Sequence, residues 1–204
     1  MSIDTLIFDF DGVIAEQGFR SALRTLAERA GIDYEPLPRL GMKLLVETGY
    51  VVGRGDEQAF WRALQAQLGD IGERERFRAE LISASAVRSW MVDLATALRG
   101  AGYRTAVLSD HTEWLDEIER RTPFAQGFER VFNSYYLGAS KREPLAFERV
   151  LEQFGAVAGR SLFIDDNPRN VETARSCGLH GIVYRQREPF LADLQAALGV
   201  LPAF

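Results

Sequence analysis

Acidic, hydroxyl and ammonium side chains recur at one kind of place along this chain. Asp9 and Asp11, Ser109 and Asp110, and Asp165 and Asp166 each follow a short apolar run, and Lys141 stands in a loop just before Pro144. The first run, Thr5-Leu6-Ile7-Phe8, reads as the buried central strand of a parallel sheet. Asp9 and Asp11 would face the same way if that strand continued regularly, and Gly12 lets the chain leave it at once. Acids at the carboxyl end of a buried strand lie where open α/β sheets place their ligand crevices. They are costly there unless a cation or a proton balances them. A lone Asp-x-Asp suits a plain acidic turn as well; the same ending on three strands, with a lysine beside them, is what points to a site.

The elements that must position these residues follow from the spacing of apolar side chains. After Val13 the pattern is helical as far as Ala84: Leu23, Leu26, Ala27 and Ala30 form one stripe stopped by Gly31. A looser segment around Leu40, Leu44 and Leu45 follows a Pro36-x-Pro38 break. Asp56 caps a helix bearing Phe60, Trp61, Leu64 and Leu68, and residues 73–84 are charged and helical with few apolar anchors. From Ala86 onward helix and strand alternate. Strands are expected at 105–108, 130–134, 162–164 and 181–184, and helices carry the Trp90, Leu94, Leu98 stripe, the stretch after Thr112, Pro144–Phe154, the segment opened by Asn167-Pro168, and Phe190–Leu198. This alternation predicts an α/β fold, a Rossmann-like parallel sheet with helices on both faces, plus an inserted all-helical unit. The expected division is a core of residues 1–14 and 86–204 and a helical insertion of residues 15–85. In a parallel sheet the polar strand ends meet along one edge.

Composition narrows the class. The 204 residues are 47% hydrophobic and 26% charged, as in ordinary globular proteins, and the net charge of -5 argues against a nucleic-acid-binding face. The single cysteine, Cys177, excludes an intrachain disulfide or a cysteine metal cluster and reads as a packed thiol. No stretch approaches the roughly 20 apolar residues of a membrane helix, and the first residues run straight into a strand without a basic leader. A cytoplasmic monomer or homodimer without a membrane partner is the expectation.

Taken together, Asp9-Phe10-Asp11-Gly12-Val13, Ser109 after Val107-Leu108, Lys141 in Lys-Arg-Glu-Pro, and Asp165-Asp166 in Asp-Asp-Asn-Pro-Arg-Asn resemble the four motifs of the haloacid dehalogenase superfamily in order and interval. The helical insertion resembles that family's small cap domain. The resemblance implies a phosphatase using Mg²⁺, with Asp9 and Asp166 supplying side-chain oxygens to the metal and Asp11 its backbone carbonyl. It implies Asp9 as nucleophile forming an aspartyl-phosphate, and Asp11 as the acid that protonates the leaving oxygen and later activates water. Ser109, Asp110 and Lys141 are implied at the phosphate, and Asp165 as the group that orients Lys141 or metal-bound water; Asn170, one helical turn after Asp166, either holds that acid in place or simply belongs to a capped helix. Dehalogenases proper have no acid at the position of Asp11, since halide leaves without a proton. Length and cap size most resemble small sugar-phosphate phosphatases, including the glucose-1-phosphate type. A phosphomutase uses the same groups, and a catalytically silent phosphometabolite-binding protein is the reading outside enzymes.

Two positions depart from the family pattern: Asp110 stands where Asn is usual, and Arg142 follows Lys141 where Pro is commoner. Arg20, Arg39, Lys43 and Arg54 are the insertion's candidates to meet an anionic or hydroxylated substrate, each also explicable as a solvated cation. His111 either faces the crevice or bonds at the start of its helix. Trp61, Trp90 and Trp114 are expected in the core, and Tyr135 and Tyr136 border the Lys141 loop.

Overall fold

The computed structural model describes residues 2–204. Its central strand β1 (Thr5–Phe8) is wholly buried and lies between β2 (Arg104–Ser109) and β4 (Ser161–Asp165), with β3 (Arg130–Asn133) and β5 (His180–Val183) at the edges. All pairings are parallel, and Phe8 lies opposite both Val107 and Ile164. The chain builds β1, β2 and β3 in one direction, then crosses back to place β4 on the other side of β1. The carboxyl ends of β1, β2 and β4 therefore flank the point where strand order reverses, the usual position of an α/β crevice.

Between β1 and β2 come the helices α1 (Gly18–Ala30), α2 (Leu37–Glu47), α3 (Glu57–Leu68), α4 (Arg74–Ala84) and α5 (Ser89–Gly100). Gly31 closes α1 in the left-handed conformation, and the Asp56 carboxylate caps α3 by accepting from the Ala59 N–H at 2.7 Å. Pro36 and Pro38 do not break the chain as the sequence suggests. Pro38 occupies the second position of α2, where a missing N–H costs little. Helix α4 is also better anchored than its charge implies, because Phe77, Leu81 and Ile82 are buried and α4 packs along α1. The chain enters and leaves this helical layer side by side. Ala15 pairs antiparallel with Val87, the Glu16 N–H donates to the Ala86 carbonyl at 2.9 Å, and the Arg88 N–H to Ile14 at 2.8 Å.

Beyond β2 lie α6 (Trp114–Arg121), α7 (Ser134–Leu137), α8 (Pro144–Phe154), α9 (Pro168–Ser176) and α10 (Arg187–Leu198). Alternation along the strands divides the core in two. Leu6, Phe8, Val107, Leu162 and Ile164 join one cluster with residues of α5, α6 and α10, and that cluster continues into the α1–α4 layer. Ile7, Ala106, Leu108 and Phe163 join a second with α8 and α9. On α5, Met91 takes the buried position expected of Trp90, which is half-buried beneath the Arg187 guanidinium, 4.8 Å away. Among the described residues no helix is long and apolar enough to cross a membrane.

Phe163 links core and strand ends. Its ring stands edge-on to Phe147 with centroids 5.1 Å apart, and the Lys141 ammonium lies 5.9 Å from its centre. Phe163→Ala is expected to cost about 3–5 kcal/mol of stability, measured by denaturant unfolding with unchanged slope.

Candidate active site

Strand β1 stops at Phe8, and the following turn is held by its own backbone. The Asp9 N–H donates to Ile164 at 2.8 Å, Gly12 to Ala15 at 2.8 Å, and Ala15 to Phe10 at 2.9 Å. Gly12 has φ +85°, and a Cβ there would strike the Asp166 carboxylate, so both conformation and space call for glycine. Arg88, across the crossing of the two linking segments, donates from one guanidinium nitrogen to the carbonyls of Gly12 and Val13, each at 2.7 Å. The turn that presents Asp11 is thereby fixed from outside the sheet.

Lys141 is the centre of the site and only 2% exposed. Its ammonium donates to Asp9 Oδ1 and, at 2.8 Å, to Asp165 Oδ2. Asp165 also accepts from the Asn167 N–H at 2.7 Å and from Asn170 Nδ2 at 3.0 and 3.2 Å, so its lone pairs are all engaged by the protein. The Lys141 loop is in turn held by Asp110, which accepts the Lys141 N–H at 2.9 Å and the Ser140 hydroxyl at 2.6 Å. Asp110, grouped by resemblance with the phosphate-binding positions, thus spends its carboxylate on the loop. Two donors converge on it, one on each carboxylate oxygen. Asn170, expected to steady Asp166, bonds Asp165 instead. Gln17 takes the Asp166 role, its amide donating to Oδ2 at 2.5 Å.

Charge at these strand ends is unbalanced. Asp9, Asp165 and Asp166 each offer an oxygen within 4.8 Å of the others, against one ammonium. Burial, and then the charge of Asp165, push the Asp9 carboxyl well above the usual carboxylate range despite Lys141. Burial and Asp165 likewise raise Asp166, against the Gln17 bond. Lys141 itself is held up: burial would lower it, but the charges of Asp165, Asp9 and Asp110 outweigh that. With Asp165 saturated, Asp9 and Asp166 are the carboxylates with oxygens to spare. A hard, oxygen-ligated dication suits this donor set and its surplus of negative charge.

Asp11 lies at the mouth of the same pocket with 28% of its side chain exposed, yet its Oδ1 is buried without a partner. Burial raises its carboxyl, against the charges of His111 and Lys141. His111 is buried and held below its usual value by desolvation. Its Nδ1 accepts the Thr112 N–H at 3.1 Å, so Nε2 carries the proton, and Nε2 stands 3.8 Å from Asp11 Oδ2.

Asp9, Asp11, Ser109, Asp110, Lys141, Asp166 and Asn170 all line one cavity of about 1290 Å³. His111 and Trp114 reach it from the core side, and Arg20, Arg39 and Lys43 from the helical layer. Arg54, Tyr135 and Tyr136 do not. Sequence reasoning missed Gln17, Arg24 and Arg88. Gln17 and Arg24 lie three residues before and four after Arg20, on the helix face turned to the cavity, a spacing readable only once α1 is placed over the strand ends.

Comparison with known proteins agrees with this architecture. Residues 3–178 match the family model of haloacid dehalogenase-like hydrolases. The chain is 24% identical to bifunctional epoxide hydrolase 2 of Rattus norvegicus over 98% of its own length, but spans only 39% of that relative. It is 27% identical to phosphoglycolate phosphatase of Rhodospirillum rubrum, covering 98% of this chain and 86% of that one. Among solved structures, a haloacid dehalogenase family enzyme of Bacteroides thetaiotaomicron in complex with magnesium superposes with a TM-score of 0.78 at 18% identity, covering 96% of this chain and 100% of the other. From motif order, sheet topology and the extent of the matched model alike, the chain belongs to the haloacid dehalogenase-like hydrolases.

Proposed function

We propose that this protein is a Mg²⁺-dependent phosphatase of small phosphate monoesters, sugar phosphates among them, with residues 15–85 acting as a cap over a core of residues 1–14 and 86–204. The observation that carries the reading is the convergence of Asp9, Asp11, Ser109, Lys141 and Asp166 on one cavity. Two phosphatases among its relatives, and a solved structure of the same Bacteroides thetaiotaomicron enzyme in complex with magnesium and inorganic phosphate, support it.

Asp9 and Asp166 would hold the metal through side-chain oxygens and Asp11 through its carbonyl. Bound there, Mg²⁺ would neutralise charge on the phosphoryl oxygens and on Asp9. Asp9 attacks phosphorus, the bond to the ester oxygen breaks, and the proton of Asp11 passes to that oxygen. Water then attacks the aspartyl-phosphate, Asp11 takes its proton, and phosphate leaves with Asp9 restored. The raised carboxyl of Asp11 suits a group that must be protonated for the first step. Ser109 donates to a phosphoryl oxygen, and Lys141 neutralises the group while steering Asp9.

Hydrolysis of p-nitrophenyl phosphate with magnesium is expected, abolished by EDTA and by Asp9→Asn and lowered about 10²–10⁴-fold by Asp11→Asn. Wild type and Asp9→Asn sharing the same negligible turnover across a broad phosphate-ester panel would leave a binding protein instead.

A second expectation concerns stability. Raised folded-state carboxyls favour the protonated form, so their contribution is complete below the ordinary carboxylate value of 3.8 and is lost as pH climbs through the raised values. His111 acts oppositely, its contribution fading as pH falls below about 6.5. Thermal melts of metal-free protein should show magnesium raising Tm more at about pH 8 than at about pH 5, since metal competes with protons for the same oxygens. Asp166→Asn should blunt that gain; equal melting with and without magnesium at every pH would refute the ligand set.

A further inference from the structure

Helix α1 starts against the strand ends and runs away from them along the cavity. Gln17, its cap residue, bonds Asp166 at 2.5 Å, and Arg20 and Arg24 follow along the same cavity-lining face. At 1.5 Å of rise per residue, Arg20 and Arg24 lie about 4.5 and 10.5 Å further along the helix axis than Gln17. The Arg24 guanidinium is stacked on the Tyr34 ring, 4.3 Å from its centre, which holds it in place without neutralising it. Among the described residues neither arginine has a carboxylate partner, nor has Arg39, which lines the cavity from α2, packed beside α1. Of the acids on the same side of the cavity, Glu47 stands 3.6 Å from Lys43, and Glu35 lies beside Tyr34 in sequence. The helical wall is therefore net positive in a protein of net charge -5.

Two arginines one turn apart repel each other, and neither is needed to close the hydrophobic core: both side chains are exposed to the cavity and its mouth. Nothing in the phosphatase chemistry uses them, because the transferred phosphoryl group lies at Asp9, Ser109 and Lys141. The charge of Arg20 does reach the site, where it pulls weakly against the burial and the Asp165 charge that raise the Asp166 carboxyl.

We propose that Arg20 and Arg24 form a second anion site, and that the natural substrate is a small phosphate ester bearing another anionic group, a carboxylate or a second phosphate, on its carbon skeleton. This rests on the phosphatase reading above. A planar guanidinium presents paired donors that suit either group.

The test uses matched esters differing only in that group. These are ethyl phosphate against 2-phosphoglycolate for a carboxylate, and glucose 1-phosphate against glucose 1,6-bisphosphate for a second phosphate. The readout is the ratio of kcat/KM within each pair. At least one ratio is expected to favour the anionic member tenfold or more, and which pair does so identifies the group. Arg20→Ala with Arg24→Ala should collapse that ratio at least tenfold, mainly through KM, Arg24→Glu should invert it, and Arg24→Lys should restore part of it. Hydrolysis of p-nitrophenyl phosphate with both ratios near or below one would overturn this inference and leave the phosphatase standing. Absence of hydrolysis of every ester would remove both. An anion preference that survives the double substitution would also overturn it, since the site would then lie elsewhere.

Discussion

A single buried ammonium governs the arrangement of the strand ends. Asp9 and Asp165 meet at Lys141, and without it two carboxylates would face each other in a space closed to bulk water. At an effective dielectric of about 20, two like charges about 4 Å apart repel by roughly 4 kcal/mol, and deleting one partner of a buried ion pair typically costs about 3–5 kcal/mol. That pairing is why β1 and β4 can both end in acid. It also leaves a surplus of negative charge that Lys141 alone does not cover, and that surplus suits a dication.

The supports around this ammonium are ordered by donor count. Asp165 is saturated by Lys141, Asn170 and the Asn167 N–H, so it acts as a fixed post. Asp110 holds the loop that carries Lys141. Asp9 and Asp166, and Asp11 beside them, each keep an oxygen that no protein group claims. Aspartates in similar strand-end positions thus have different parts, set by what else reaches them rather than by residue type.

Much of this was legible in the sequence because strand ends in a parallel sheet must converge. The apolar runs before Asp9, Ser109 and Asp165 became β1, β2 and β4, and Asn167-Pro168 and Pro144 opened helices as their backbone chemistry dictates. What the sequence left undetermined depended on side chains meeting across distant elements. Asn170 is one turn from Asp166 yet bonds Asp165, since helix α9 turns it back toward β4. Gln17 is an unremarkable residue until α1 lies over the strand ends. Pro36-x-Pro38 reads as a break and is a helix start, because proline at the first helical turn removes no hydrogen bond that the helix would have made.

The paired segments at Ala15 and Val87 have a mechanical meaning. Entry and exit of the helical layer lie side by side, and away from them the layer is packed on the core, with the Ser134 hydroxyl donating to the Val51 carbonyl at 2.7 Å and the Trp114 indole N–H to Glu57 at 3.0 Å. Arg88 sits at the paired segments, gripping Glu16 on one side and the carbonyls of Gly12 and Val13 on the other. One guanidinium thus ties the peptide next to Asp11 to the segment by which the chain leaves the helical layer, so a disturbance of either reaches the other.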